Sequence, residues 1–244
     1  MAASSATSYE YILAITHFFG FTTVLLNGYF FNTFRDGLTW PTKQQHDYYG
    51  IQFHGFLMVL GFVFFQGEAL LSYRIYRYEP KIISKLIHGI LHFLAISLGI
   101  TALIAIIINK NLGGNKHFYS IHSWIGVCLL TVYILQFTFG FFTFLMPCAS
   151  VKHRARLIPI HRAIGASLLI LAAIQCVVGY VTFLSFDTLP CFSTLSCNNR
   201  MEYVASFAVL TLILYTLLVL ALIIPQSWKR QKTPDEINNF WLKI

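Results

Sequence analysis

Charge is what this sequence has least of. Asp, Glu, Lys and Arg make up 11% of its 244 residues, with nine carboxylates against 17 Lys and Arg. An average soluble domain carries about 25% charged residues. Hydrophobic residues reach 57%, more apolar surface than one core of this size can hide, so lipid is expected as part of the solvent. The first ten residues are polar and lack the basic stretch and cleavage pattern of a signal peptide. The first apolar run is therefore expected to stay as a helix. Low-complexity linkers, a left-over soluble segment and Asn-x-Ser/Thr acceptors are also missing. The net charge of +8 does not indicate nucleic acid, because the basic residues sit in short loops between apolar runs, as positive-inside topology requires.

Six runs are long enough to cross roughly 30 Å of hydrocarbon, which takes about 20 helical residues. They fall near 11–31, 51–73, 82–108, 119–146, 158–186 and 203–224. Pro41, Pro80, Pro147, Pro190 and Pro225 lie in or beside the loops, where proline ends helices. The 16% aromatic content suits membrane interfaces. The expected fold is an all-α membrane protein, one transmembrane domain over 1–244 with 225–244 as a cytosolic tail. The N-terminus, second loop, fourth loop and C-terminal tail hold 12 of the 17 basic residues. That side is expected to be cytosolic, with both termini on it.

Against this apolar background four histidines stand out. His54, His88, His122 and His161 are 34, 34 and 39 residues apart, each just inside the start of a different apolar run. Because successive spans alternate in direction, His54 and His122 lie toward the outer face and His88 and His161 toward the cytosol. Ionisable residues within a span are costly and mark function by default. The plainer alternative is a hydrogen bond to a neighbouring helix. Zinc or a transported cation would usually recruit carboxylates, and Glu68 is the only acid in these four spans. Haem iron takes one imidazole from each face, so two haems need four. The expectation is a four-helix bundle around two haems. His54 and His122 would bind the outer one, and His88 and His161 the inner one. The two levels would be roughly 20 Å apart along the helices. No Cys-x-x-Cys-His is present, so the haems would be non-covalent.

His92 lies one turn beyond His88. It is an alternative ligand, but a supporting role beside the haem is preferred. His17 is read as a packing or hydrogen-bonding residue, and His46, His117 and His153 as loop residues. Glu68 is expected to pair with a loop cation such as Arg74, with a proton relay as the alternative. Gly55, Gly61, Gly67, Gly89, Gly126 and Gly165 either admit a flat macrocycle or serve helix packing. Cys191 and Cys197 share an outer loop and form a disulfide candidate. Cys128, Cys148 and Cys176 are read as ordinary thiols.

The run Tyr119-Ser-Ile-His122-Ser-Trp124, the run from Gln66 to Arg74 and the histidine spacing resemble the cytochrome b561 family, and His92 resembles its animal members. The resemblance implies a homodimeric, ascorbate-dependent transmembrane oxidoreductase with two haem b groups. Electrons would pass from cytosolic ascorbate to monodehydroascorbate or a ferric chelate on the far side. It also implies that Lys81, Lys85 and Arg154, which precede His88 by seven and three residues and His161 by seven, bind ascorbate. A basic funnel would gather such an anion in any case. Tyr119 matches an outer-site tyrosine. Lys110, beside Asn109, stands where many members have a histidine, and Gly55 where they have a proline, which leaves the outer acceptor open. Two other readings compete. One is the haem subunit of a quinone-linked complex, though many of those place two histidines on one helix. The other is a cofactor-free transporter, for which Gln66, Glu68, Gln136 and Gln175 are the few polar candidates.

Overall fold

The computed structural model describes residues 2–33, 37–43, 49–146, 148–187 and 189–238. His46 and Pro147 fall outside them. In hydrocarbon every backbone N–H and C=O must be paired within the protein, which turns apolar runs of this length into helices. In chain order these are α1 (Ala2–Thr33), α2 (Tyr49–Val59), α3 (Gln66–Ile75), α4 (Lys81–Leu112), α5 (Ile121–Gly140), α6 (Val151–Asp187), α7 (Leu189–Thr194), α8 (Met201–Ile223) and α9 (Pro234–Asn238). A π turn, Leu60–Phe65, joins α2 to α3, so that 50–75 forms one span, and a second, Phe141–Leu145, extends α5. Among the described residues, six helical stretches are long and apolar enough to cross a membrane. The protein is an integral membrane protein.

Pro80, extended at ψ 139°, stops the preceding turn and starts α4 at Lys81. Ser120 caps α5, its hydroxyl accepting from the Ser123 N–H at 3.2 Å. α6 begins at Val151, seven residues before the apolar run. The Ser150 hydroxyl caps it, 3.4 Å from the His153 N–H, and the polar segment 152–156 is its first turns. His153 is thus helical, not in a loop. Pro159 lies within this helix, past its first turn, and lacks the N–H that would reach the Ala155 carbonyl.

α2–α3, α4, α5 and α6 close into a four-helix bundle, while α1 and α8 pack together along its α2–α3 side. At mid-depth the bundle is filled by Phe62, Ala95, Leu129, Tyr133, Leu168 and Ala172. The Phe62 and Tyr133 rings meet edge to face at 4.7 Å. This apolar plug divides the interior into two levels, each containing a pair of histidines.

Candidate functional site

Near the start of α2, His54 faces His122, near the start of α5, with ring centroids 6.2 Å apart. Near the start of α4, His88 faces His161 on α6, with centroids 6.3 Å apart. Both separations are too long for stacking and leave room for one atom bonded to both rings. Two metal–nitrogen bonds of about 2 Å, plus the distance from each nitrogen to its ring centre, give about 6 Å.

The outward-facing Nδ1 atom of every ring has a partner. His54 Nδ1–H donates to the Ala102 carbonyl at 3.1 Å, and His88 Nδ1–H to the Ala69 carbonyl at 2.8 Å. These bonds leave Nε2 of both rings as the free lone pair. The Gln136 amide nitrogen donates to the His161 carbonyl and lies 2.8 Å from His161 Nδ1. Gln175 does the same at His122, donating to its carbonyl and lying 3.0 Å from Nδ1. Glycine makes the close approach possible: a Cβ at Gly140 or Gly179 would stand 3.0 Å from Cε1 of His161 or His122. Among the described residues no group of three or more His, Cys, Asp or Glu converges as a bare metal ion requires. Facing imidazole pairs fit the two axial positions of a haem iron. Ala102 is fourteen residues from His88, so the levels are about 21 Å apart along α4.

A cavity of about 600 Å³ opens between His54 and His122 and runs to Lys110 in the last turn of α4 and to the loop carrying His117 and Tyr119. Lys110 Nζ sits 4.7 Å over the Tyr119 ring and 3.4 Å from the Lys116 carbonyl. Asn109 also lines the cavity, but it is buried and its Oδ1 accepts from the Gly50 N–H at 3.2 Å, tying α4 to α2. His117 Nε2 is bonded to Asn111 Oδ1 at 2.7 Å. A disulfide joins Cys191 to Cys197. At the opposite end Lys81, Lys85 and His88 share one face of α4, and Arg154 and His161 one face of α6. Lys85 is buried, and the Arg154 charge acts on both lysines.

This architecture can be set beside known proteins. A sequence model described as eukaryotic cytochrome b561 matches residues 53–187, more than half the chain and all four histidines. The chain belongs to the cytochrome b561 family. It is 30% identical over 235 residues to a transmembrane ascorbate-dependent reductase of Mus musculus, covering 96% of this chain and 91% of the relative. The human protein of that name is 35% identical over 167 residues, 68% of this chain and 64% of its own length. A human lysosomal membrane ascorbate-dependent ferrireductase is 33% identical over 216 residues, 86% of each. Membership of the cytochrome b561 family implies binding of haem b.

Within this cytochrome b561 chain several contacts differ from expectation. Glu68 does not pair with Arg74. Its carboxylate meets His17 Nε2 at 3.2 Å and accepts from the Tyr215 hydroxyl at 3.0 Å. Arg74 is buried and donates to the Ile223 carbonyl at the end of α8. The helix rotation that turns Glu68 toward α1 and α8 also turns Arg74 beneath α8. Gly55, Gly61 and Gly67 serve packing, against Phe31, the Ala95 backbone and Tyr215. Gln136 and Gln175, on sequence candidates for a transport path, contact histidines instead. Gly140, Gly179 and Tyr133 also join these sites, and both glutamines and both glycines recur at a fixed spacing from a histidine.

Proposed function

We propose that this chain carries electrons across the membrane from ascorbate on the cytosolic face to an acceptor on the other face. The observation that carries this reading is the two facing imidazole pairs, 6.2 and 6.3 Å apart, one near each end of the bundle. In this reading His54 and His122 hold one haem b and His88 and His161 the other. When bound, each haem would supply a one-electron iron couple, and two imidazoles holding the iron would favour electron transfer over oxygen chemistry. The carbonyls of Ala69 and Ala102 hold Nδ1–H of two rings and keep their Nε2 lone pairs directed into the gap. The apolar plug around Phe62 and Tyr133 keeps water from linking the two levels.

Lys81, Lys85 and Arg154 form the ascorbate site. Their three positive charges beside the His88–His161 level attract and orient a monoanion. The basic loops of this end make it cytosolic, with both termini on the same side. At the other end the cavity leads from the His54–His122 level to Tyr119 and Lys110. The lysine favours an anionic acceptor, monodehydroascorbate or a ferric chelate. The names of the relatives as ascorbate-dependent reductases and a ferrireductase support the same activity. The family's homodimer is proposed for this chain too.

The test is an ascorbate-reduced minus air-oxidised difference spectrum of the purified protein, with haem counted per chain. Two b-type haems reduced promptly by ascorbate are expected. Colourless protein, prepared with haem in excess, would overturn the reading and favour a cofactor-free transporter.

A further inference from the structure

α5 and α6 carry one pattern twice. His122 is followed by Gly126, Gln136 and Gly140, at offsets of 4, 14 and 18 residues. His161 is followed by Gly165, Gln175 and Gly179 at the same offsets. The contacts are exchanged between the antiparallel helices. Gln136 reaches His161 and Gln175 reaches His122, while Gly140 lies beneath the His161 ring and Gly179 beneath the His122 ring. Fourteen residues are about 21 Å of helix, the distance from a helix's own histidine to its neighbour's.

α2–α3 and α4 follow the same rule with main-chain partners. His54 donates to Ala102, fourteen residues after His88, and His88 donates to Ala69, fifteen residues after His54. The one extra residue coincides with the π turn at Leu60–Phe65, which adds a residue to the helix. At each level, therefore, one imidazole is held by a backbone carbonyl and the other by a glutamine from the neighbouring span.

We infer that Gln136 and Gln175 are positioning residues for the His161 and His122 imidazoles, each governing one haem site only. This rests on the haem reading above. With Nε2 on iron, Nδ1 carries the proton, so in the haem-bound protein the glutamine amide presents its oxygen to Nδ1–H, and that partner sets the imidazole's orientation and its strength as a ligand. At His54 and His88 that partner is main chain and side-chain variation leaves it in place. At His122 and His161 it is a side chain that mutation can change. A glutamine that only filled space would give its leucine and glutamate variants the same shift, whereas a hydrogen-bond partner of the ring gives them shifts of opposite sign.

The experiment uses the full chain with haem bound, reconstituted in lipid, and follows each haem by redox potentiometry and low-temperature electron paramagnetic resonance. Gln175→Leu should change the reduction equilibrium of the outer haem about tenfold, 59 mV for one electron, and shift its low-spin signal. The inner haem should stay as in wild type. Gln136→Leu should do the reverse. Gln175→Glu and Gln136→Glu supply a carboxylate partner, which raises ligand basicity and should lower the potential of the same single haem. These variants carry the test if the leucine variants do not fold. Haems retained with potentials and signals unchanged, or both haems shifted together by one substitution, would overturn the inference. Wild-type protein that binds no haem would instead remove the reading on which it rests, and that is known before any variant is made.

Discussion

His92 Nδ1 and the Tyr133 hydroxyl are hydrogen-bonded at 2.5 Å, joining α4 to α5 beneath the inner histidine level. The His92 ring stands 4.4 Å from that of His88, edge to face, but it is the His88 ring that forms the facing pair with His161. His88, not His92, faces His161. His92→Gln should therefore leave two haems per chain, whereas His88→Ala should lose the inner haem. Haem counting and the reduced spectrum decide between the two ligands. Two intact haems in His88→Ala would hand the ligand role to His92.

Tyr133→Phe should keep the edge-to-face contact with Phe62 and delete only the hydroxyl. The buried His92 nitrogen then loses its partner, at a cost of about 1–3 kcal/mol. Thermal unfolding of the reconstituted protein should report this loss. An unchanged midpoint would show that another group takes the hydroxyl's place.

At the outer level, His54→Ala or His122→Ala should each remove one haem. The remaining inner haem should still be reduced by ascorbate from the cytosolic side. Loss of both haems from either variant would mean that the two levels are not independent sites.

Lys81→Ala combined with Lys85→Ala should slow ascorbate reduction about tenfold or more, the range of electrostatic steering into a charged cleft. Dithionite reduction should be unaffected. The wild-type ascorbate rate should also fall as salt is raised, because part of the attraction is screened. An unchanged ascorbate rate in the double variant would reject this site.

At the Lys81 end of the bundle a carboxylate clasps the C-terminal tail, and its hold should depend on pH. Glu236 bonds Arg230 at 2.6 Å and accepts from the Lys81 N–H at 2.8 Å, docking the tail on the start of α4. Burial alone would raise the Glu236 pKa, but the Arg230 hydrogen bond and the Lys81 and Thr233 backbone N–H groups hold it below its ordinary 4.5. A carboxyl lowered on docking stabilises the docked state fully above 4.5, and the contribution fades as pH falls through the lowered value. Limited proteolysis beside Lys229 should accelerate over that acid range in wild type. Glu236→Gln should be cut faster already at neutral pH, with a flatter acid response.

The partner of Glu68 shows the limit of reading along the chain. Arg74 is the nearby cation in sequence, but six residues on a helix leave the two side chains on different faces. His17 and Tyr215, 51 and 147 residues away, hold the carboxylate instead. The early start of α6 has a different reason: hydropathy marks only the apolar part of a helix, and Lys152, His153, Arg154 and Arg156 make its first turns polar. The repeat linking Gln136 to Gln175 was present in the spacing, but it acquires meaning only when the contacts are seen to be exchanged.

Six spans, their alternating direction and the two depths at which histidines enter the bundle are legible along the chain alone. Apolar length, basic loops and residue spacing are properties of each segment alone, and a membrane converts them directly into position along one axis. What each imidazole touches is set by the folded arrangement of the helices. That depends on how the helices rotate and cross, on the extra residue of a π turn, and on glycines that let one helix approach its neighbour's histidine. None of these is a property of a single segment.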